Sequence, residues 1–159
     1  MSKLLAATVK LVHHSMAEGL GATASVVGIV VPALHGVRLL FDDLKKIIEA
    51  PEVVASLATE VEALRLSLES LKAIDDSQWE TLGKTVSDQC KAAITTCTAA
   101  CDALREDLHR WTKRSADGKL SWRDRANIGF FKERQIKARS EQLQSYKLTL
   151  NSAVGAATL

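Results

Sequence analysis

The sequence predicts an all-α fold, an up-down bundle of four or five helices, on three observations. Aromatic residues make up only 4% of the 159 residues, while 47% are hydrophobic, dominated by Ala, Leu and Val. A sheet protein draws more heavily on aromatic and β-branched residues. There are two prolines, Pro32 and Pro51, both in the first third, so the remaining chain is free to run as long helices. Apolar residues recur at steps of three and four over most of the length, the spacing of one helix face. A chain this long holds one domain with one buried core.

The first fifteen residues stand apart. Leu4, Leu5, Val9, Val12 and Met16 recur at helical spacing, which fits a short amphipathic helix or an extension. Met16 is a second plausible start, so the bundle domain is placed at 16–159 and the preceding stretch at 1–15. The leader has no charged start, apolar run and small-residue cleavage site in order, and a cytosolic setting is expected.

From Gly19 to Val37 no residue carries a formal charge. This run is borderline for the roughly 20 apolar residues that span a bilayer. Gly19, Gly21, Gly28, Gly36, Pro32 and His35 weaken it as a soluble core helix, since a helical Gly costs about 1 kcal/mol and Pro about 3. Two readings stay open. One is a core helix kinked at Pro32 and packed closely through its glycines. The other is a segment poised between bundle and bilayer, where Gly and Pro are better tolerated. Leu34, Val37, Leu40, Phe41, Leu44, Ile47 and Ile48 continue the apolar face, so a helix over 17–49 with a break at Pro32 is expected.

Ala50-Pro51 ends that element, because a residue before proline is pushed out of the helical region. Pro51 suits the first helical position, and Val54, Leu57, Val61, Leu64, Leu68 and Leu71 form a seam of coiled-coil type over 51–74. Ser77-Gln78-Trp79-Glu80 reads as a capping box opening a helix over 77–114. Its stripe is Val86, Cys90, Ala93, Cys97, Cys101 (or Ala100), Leu104, Leu108 and Trp111. Asp117-Gly118 marks a turn. Ser121 and Asp124 repeat the capping logic before a short helix at 121–127, or one fused onward, and a last helix at 130–157 faces inward with Ile136, Leu143, Tyr146, Leu150 and Val154.

The residues carry little chemistry. Cys90, Cys97 and Cys101 share one helix face, an odd number that fits buried free thiols better than a disulfide framework or a four-ligand zinc site. His13 and His14 cannot both face one site on a regular helix. No catalytic triad and no phosphate-binding glycine loop with its Lys is present. No enzyme activity, cofactor or metal is expected. The acidic pairs Asp42-Asp43 and Asp75-Asp76 lie at helix edges, where solvation or capping accounts for them.

Charge is divided along the chain. Residues 42–80 hold ten acids and four bases, and residues 105–139 hold eleven bases and five acids. The two halves either neutralise each other within the bundle or leave a face for an anionic partner. In the basic half Trp111, Trp122, Phe130 and Phe131 interleave the cations. That mixture suits an anionic membrane interface, a solvated face over a core corner, or nucleic-acid phosphates. The acidic half and the lack of a binding motif disfavour nucleic acid.

The blocks at residues 24–40, Ala50-Pro-Glu-Val-Val, residues 71–80, and above all Trp122-Arg-Asp-Arg within residues 118–132, resemble the HeLo-like family, the fungal N-terminal domain of STAND proteins. The resemblance covers roughly 16–159. It implies a helical bundle at the head of an NLR-like receptor, with an NTPase and repeats C-terminal to it. It also implies a cell-death effector of the kind acting in heterokaryon incompatibility, which oligomerises with itself and moves from cytoplasm to plasma membrane. On that reading the membrane-inserting residues are Leu20, Val26, Val27, Ile29, Val30, Val31 and Leu34. The lipid-binding residues are Arg110, Lys113, Arg114, Lys119, Trp122, Arg123, Arg125 and Lys132, and the partners are self and anionic lipid. The alternative is a non-enzymatic adaptor that signals by homotypic bundle assembly.

Overall fold

The computed structural model describes residues 25–47, 49–115 and 119–159, without the side chains of Trp122 and Phe131. Among these residues the fold is all-α. Four long helices form the bundle: α1 (Val26–Lys45), α2 (Glu52–Lys72), α4 (Lys84–Trp111) and α6 (Glu133–Ala157). Two short helices close its ends, α3 (Asp76–Leu82) and α5 (Trp122–Ala126), the latter running into a π-helical turn at Asn127–Phe131. The extension at 1–15 lies outside the described residues, as does the start of the helix expected from residue 17.

Neighbouring contacts fix the directions. Asp43, near the end of α1, meets Arg105 and His109, near the end of α4, so these helices run parallel. Glu60 and Ser67 of α2 meet Lys147 and Asn151 of α6 in the same order, a second parallel pair. α1 packs on α2 and α4, and α6 packs on the same two. The start of α1, the end of α2, the start of α4 and the end of α6 therefore share one end of the bundle. The other end holds α5, the π turn and the basic residues 110–134.

Each helix is there because one face is apolar. The expected seam of α2 is the observed one: Val54, Leu57, Val61, Leu64, Leu68 and Leu71 are all buried. Burying a side chain of this size contributes about 1.5–3 kcal/mol. From α4 come Cys90, Ile94, Cys97, Ala100, Cys101, Leu104, Leu108 and Trp111, and from α6 Ile136, Leu143, Leu150 and Ala153. Val86, Ala93, Tyr146 and Val154 pack only partly against this core. Ser67 is the buried polar exception on α2. It donates to Asn151 Oδ1 at 2.7 Å and so costs little where it sits.

Three local expectations are corrected. Pro32 is not a helix boundary, since α1 continues on both sides of it and starts instead from Ser25, whose Oγ accepts the Gly28 N–H at 3.2 Å. The segment 77–114 is two helices, divided at Gly83, whose φ of 87° lies in the region glycine tolerates best. The capping box belongs to Asp75 and Gln78, not to Ser77 and Glu80. Asp75 Oδ1 accepts the Gln78 N–H at 2.8 Å and Gln78 Oε1 accepts the Asp75 N–H at 3.0 Å, while Ser77 donates to the same carboxylate. Those bonds, the Gln78 amide first, hold the Asp75 carboxyl below the usual aspartate range.

The three thiols are free and buried, as their spacing predicts. A hydrogen bond with Cys97, together with burial, pushes the Cys101 thiol far up, and burial alone raises Cys90. They act as small core residues one and two turns apart on α4.

Candidate functional site

Two surfaces concentrate the predicted site residues, and the bundle separates them. The first is the N-terminal half of α1. Val26, Val30 and Leu34 point into the core and are buried. Val27 and Ile29 are half-buried at its flanks. Val31 is 49% exposed, and Gly28, Pro32 and His35 are exposed beside it. Leu20 lies outside the described residues. The solvent side of α1 therefore carries no charge until Arg38, which pairs with Glu69 at 3.1 Å. A surface helix of a soluble bundle ordinarily places charged residues there. Among the described residues no helix is long and apolar enough to cross a membrane.

The second surface is the basic end, and part of its charge is spent internally. Arg125 donates to both the carbonyl and the carboxylate of Glu49, at 3.0 and 3.1 Å. Glu49 has a φ of 56°, uncommon for a residue with a side chain, at the reversal between α1 and α2. Arg125 thus clamps that reversal. Arg110 pairs with Asp107 at 3.1 Å, and the Lys132 ammonium sits 5.7 Å from the centre of the Trp111 ring. Lys113, Arg114, Lys119 and Arg123 are exposed. Trp122 is the first residue of α5. Its side chain lies outside the described part of the structure.

Asp124 organises this end. Its neighbour Ser121 caps α5 as expected, with Oγ accepting the Asp124 N–H at 3.1 Å. The Asp124 carboxylate does not reach back to complete a box. It is 2% exposed, and Oδ2 accepts the Arg114 N–H at 3.1 Å and the Ser115 hydroxyl at 2.7 Å. Ser115 Oγ in turn accepts the Ser121 N–H at 3.1 Å. One buried carboxylate thereby ties the end of α4 to the start of α5.

The two charged halves do meet. Asp43 holds Arg105 at 2.8 Å and lies 3.3 Å from His109, and Glu49 holds Arg125. Neutralisation across the bundle and an outward basic surplus coexist. Among the described residues no three His, Cys, Asp or Glu side chains are grouped to hold a metal ion.

Residues 17–159 match the model of a family described as pigment biosynthesis cluster protein PigL N-terminal. The chain belongs to that family. The PigL N-terminal family is a fungal-type N-terminal domain, which agrees with the coarser part of the expected resemblance. No curated protein and no solved structure matches the chain. In this PigL N-terminal domain the matched residues take in α1, the bundle and the basic end together.

Sequence reasoning missed two residues of the basic end. The capping pattern assigns Asp124 only to the start of α5, yet an acid inside Trp122-Arg-Asp-Arg is the signal for a buried anion among cations. Composition does not separate Phe130 from the other aromatics, although it alone among the described ones stands 83% exposed.

Proposed function

We propose that this chain is a non-enzymatic N-terminal effector domain of a fungal NLR-like, STAND-type cell-death system, HeLo-like in kind. It rests in the cytoplasm as the bundle described above. After self-assembly under a C-terminal NTPase and repeat region it acts at the plasma membrane through α1, with anionic lipid meeting the basic end. The observation that carries this reading is the first half of α1. Apolar residues face the core, and Val31, Pro32 and His35 face outward, without one charge around the helix until Arg38. A helix apolar all round belongs inside a larger core or a bilayer, and its Gly and Pro are tolerated in lipid.

A second reading rests on a different observation. No described helix meets the requirement for a span, and an uncharged outer face can be covered by another copy of the bundle. That is the homotypic adaptor. The full chain, added to dye-loaded vesicles with and without phosphatidylserine, separates the two. Release that depends on the anionic lipid supports the effector. Concentration-dependent self-association without release supports the adaptor.

A further inference from the structure

We infer that Phe130 is the aromatic wedge by which the basic end of the bundle seats on an anionic lipid surface. The inference rests on the membrane reading of that end and adds the element that enters the lipid. Phe130 is 83% exposed, more than any other large hydrophobic side chain among the described residues apart from the terminal Leu159. Exposing a phenylalanine forgoes the stabilisation its burial would give. Ile128, two residues earlier on the same turn, is fully buried, so the turn sets residue 130 on the opposite side, facing solvent.

The backbone presents the ring. Residues 127–131 form a π-helical turn closed by the Lys132 N–H on the Asn127 carbonyl at 3.0 Å. Such turns are rare and recur at functional sites. At Gly129, next to the ring, an added Cβ would meet nothing within 4 Å, so the surface there is open. The end of the bundle that carries the ring is basic, with ten basic and three acidic residues over 110–139, while the groove beside Phe130 itself is lined by Glu133, Arg134, Lys137, Ala138 and Glu141. Of the acids over 110–139, Asp124 is buried, and Glu133 is paired with Lys137 at 2.7 Å. Lys113, Arg114, Lys119, Arg123 and Arg134 are exposed. A protruding apolar ring on a basic end is complementary to acyl chains beneath anionic headgroups. Charge alone suits nucleic acid as well, but base recognition ordinarily stacks on a platform of rings, and among the described side chains of this end Phe130 is the one ring that stands exposed.

The geometry also orders events. α1 has 20 residues and rises 1.5 Å per residue, so Ser25 sits about 30 Å from the basic end. A bundle seated through Phe130 holds the start of α1 away from the lipid until α1 leaves the bundle.

The test is co-sedimentation of the full chain with phosphatidylcholine vesicles, with and without phosphatidylserine. Phe130→Ala should weaken partitioning onto the anionic vesicles about tenfold and leave the melting temperature unchanged, because the ring touches little of the core. Phe130→Trp should bind like wild type. Equal binding by wild type and Phe130→Ala would overturn the wedge while leaving the effector reading intact. A wild-type chain that binds neither vesicle would overturn both. Displacement from the vesicles by a single-stranded oligonucleotide, lost in Phe130→Ala, would reassign the ring to nucleic acid.

Discussion

Val31→Asp should abolish permeabilisation while leaving the bundle folded. Val31 is half-exposed on the outer face of α1, and no acidic residue of that helix lies near it. In the bundle the new carboxylate stays in water, and a surface substitution of this kind changes stability by about 0.5 kcal/mol or less. In a bilayer the same charge costs about 2.5–3.5 kcal/mol at the helix centre. At 1.4 kcal/mol per tenfold, insertion should fall on the order of 100-fold. The position decides how clean the experiment is. Val27→Asp is a poorer probe because Val27 is half-buried, and an acid at Val26, Val30 or Leu34 would unfold the core before saying anything about lipid. Dye release from phosphatidylserine vesicles gives the readout, with circular dichroism and melting as controls. Wild-type release by a folded Val31→Asp chain would remove α1 from the mechanism. Wild-type self-association in solution by the same variant would separately remove this face from the adaptor reading.

Asp124→Ala should lower stability by about 3 kcal/mol, the largest single loss expected at the basic end. The substitution strips the buried carboxylate from the Arg114 N–H and the Ser115 hydroxyl. Hydrogen bonds to a charged group are each worth about 1.5–3 kcal/mol, and donors left buried without a partner add to the loss. Both donors share Oδ2, so Asp124→Asn with its amide oxygen in that place keeps both bonds in neutral form and should cost roughly half as much. Urea denaturation measures both. An alanine variant with the wild-type midpoint would show that the α4–α5 junction is held by something else. This role also bears on how charge reversals nearby are read. Arg125→Glu would set a carboxylate against Glu49 at the α1–α2 reversal, so loss of vesicle binding by that variant speaks to folding before it speaks to lipid.

What was legible in the sequence follows from where one pattern had no competitor. The α2 seam could be read residue by residue because charged and polar positions separate its leucines, so only one face satisfies the 3.6-residue period. In α1 the same period has nothing to act on. Val26, Val27, Val30 and Val31 are equal in hydropathy, and only packing against α2 and α4 tells the inward pair from the outward members. Two adjacent acids and a serine competed for the cap of α3, and Gln78 decided it, since its side chain completes a reciprocal pair with Asp75. The division at Gly83 was hidden because apolar residues continue on both sides of it. At Asn127–Phe131 a π turn abandons the α-helical period, so Ile128 inside and Phe130 outside had no periodic signal. The candidate surfaces were thus visible as composition, uncharged in one place and basic in another. Their placement at opposite ends of the bundle was not, because it depends on which helices pack in parallel.

The central claim is that α1 acts by leaving the bundle, and tethering it there is the direct test. The Asp102 side chain of α4 reaches over Gly36 of α1, its Oδ1 3.8 Å from where a Cβ at Gly36 would lie, so the two positions face each other across the helix contact. Gly36→Cys with Asp102→Cys, with Cys90, Cys97 and Cys101 replaced by alanine, places a reversible bolt between the two helices. Dye release from phosphatidylserine vesicles is then measured before and after reduction. The account predicts no release from the oxidised chain and recovery to the level of the reduced parent once dithiothreitol opens the bond. Equal release from the oxidised and reduced forms would contradict it, because α1 would then be acting without leaving its place.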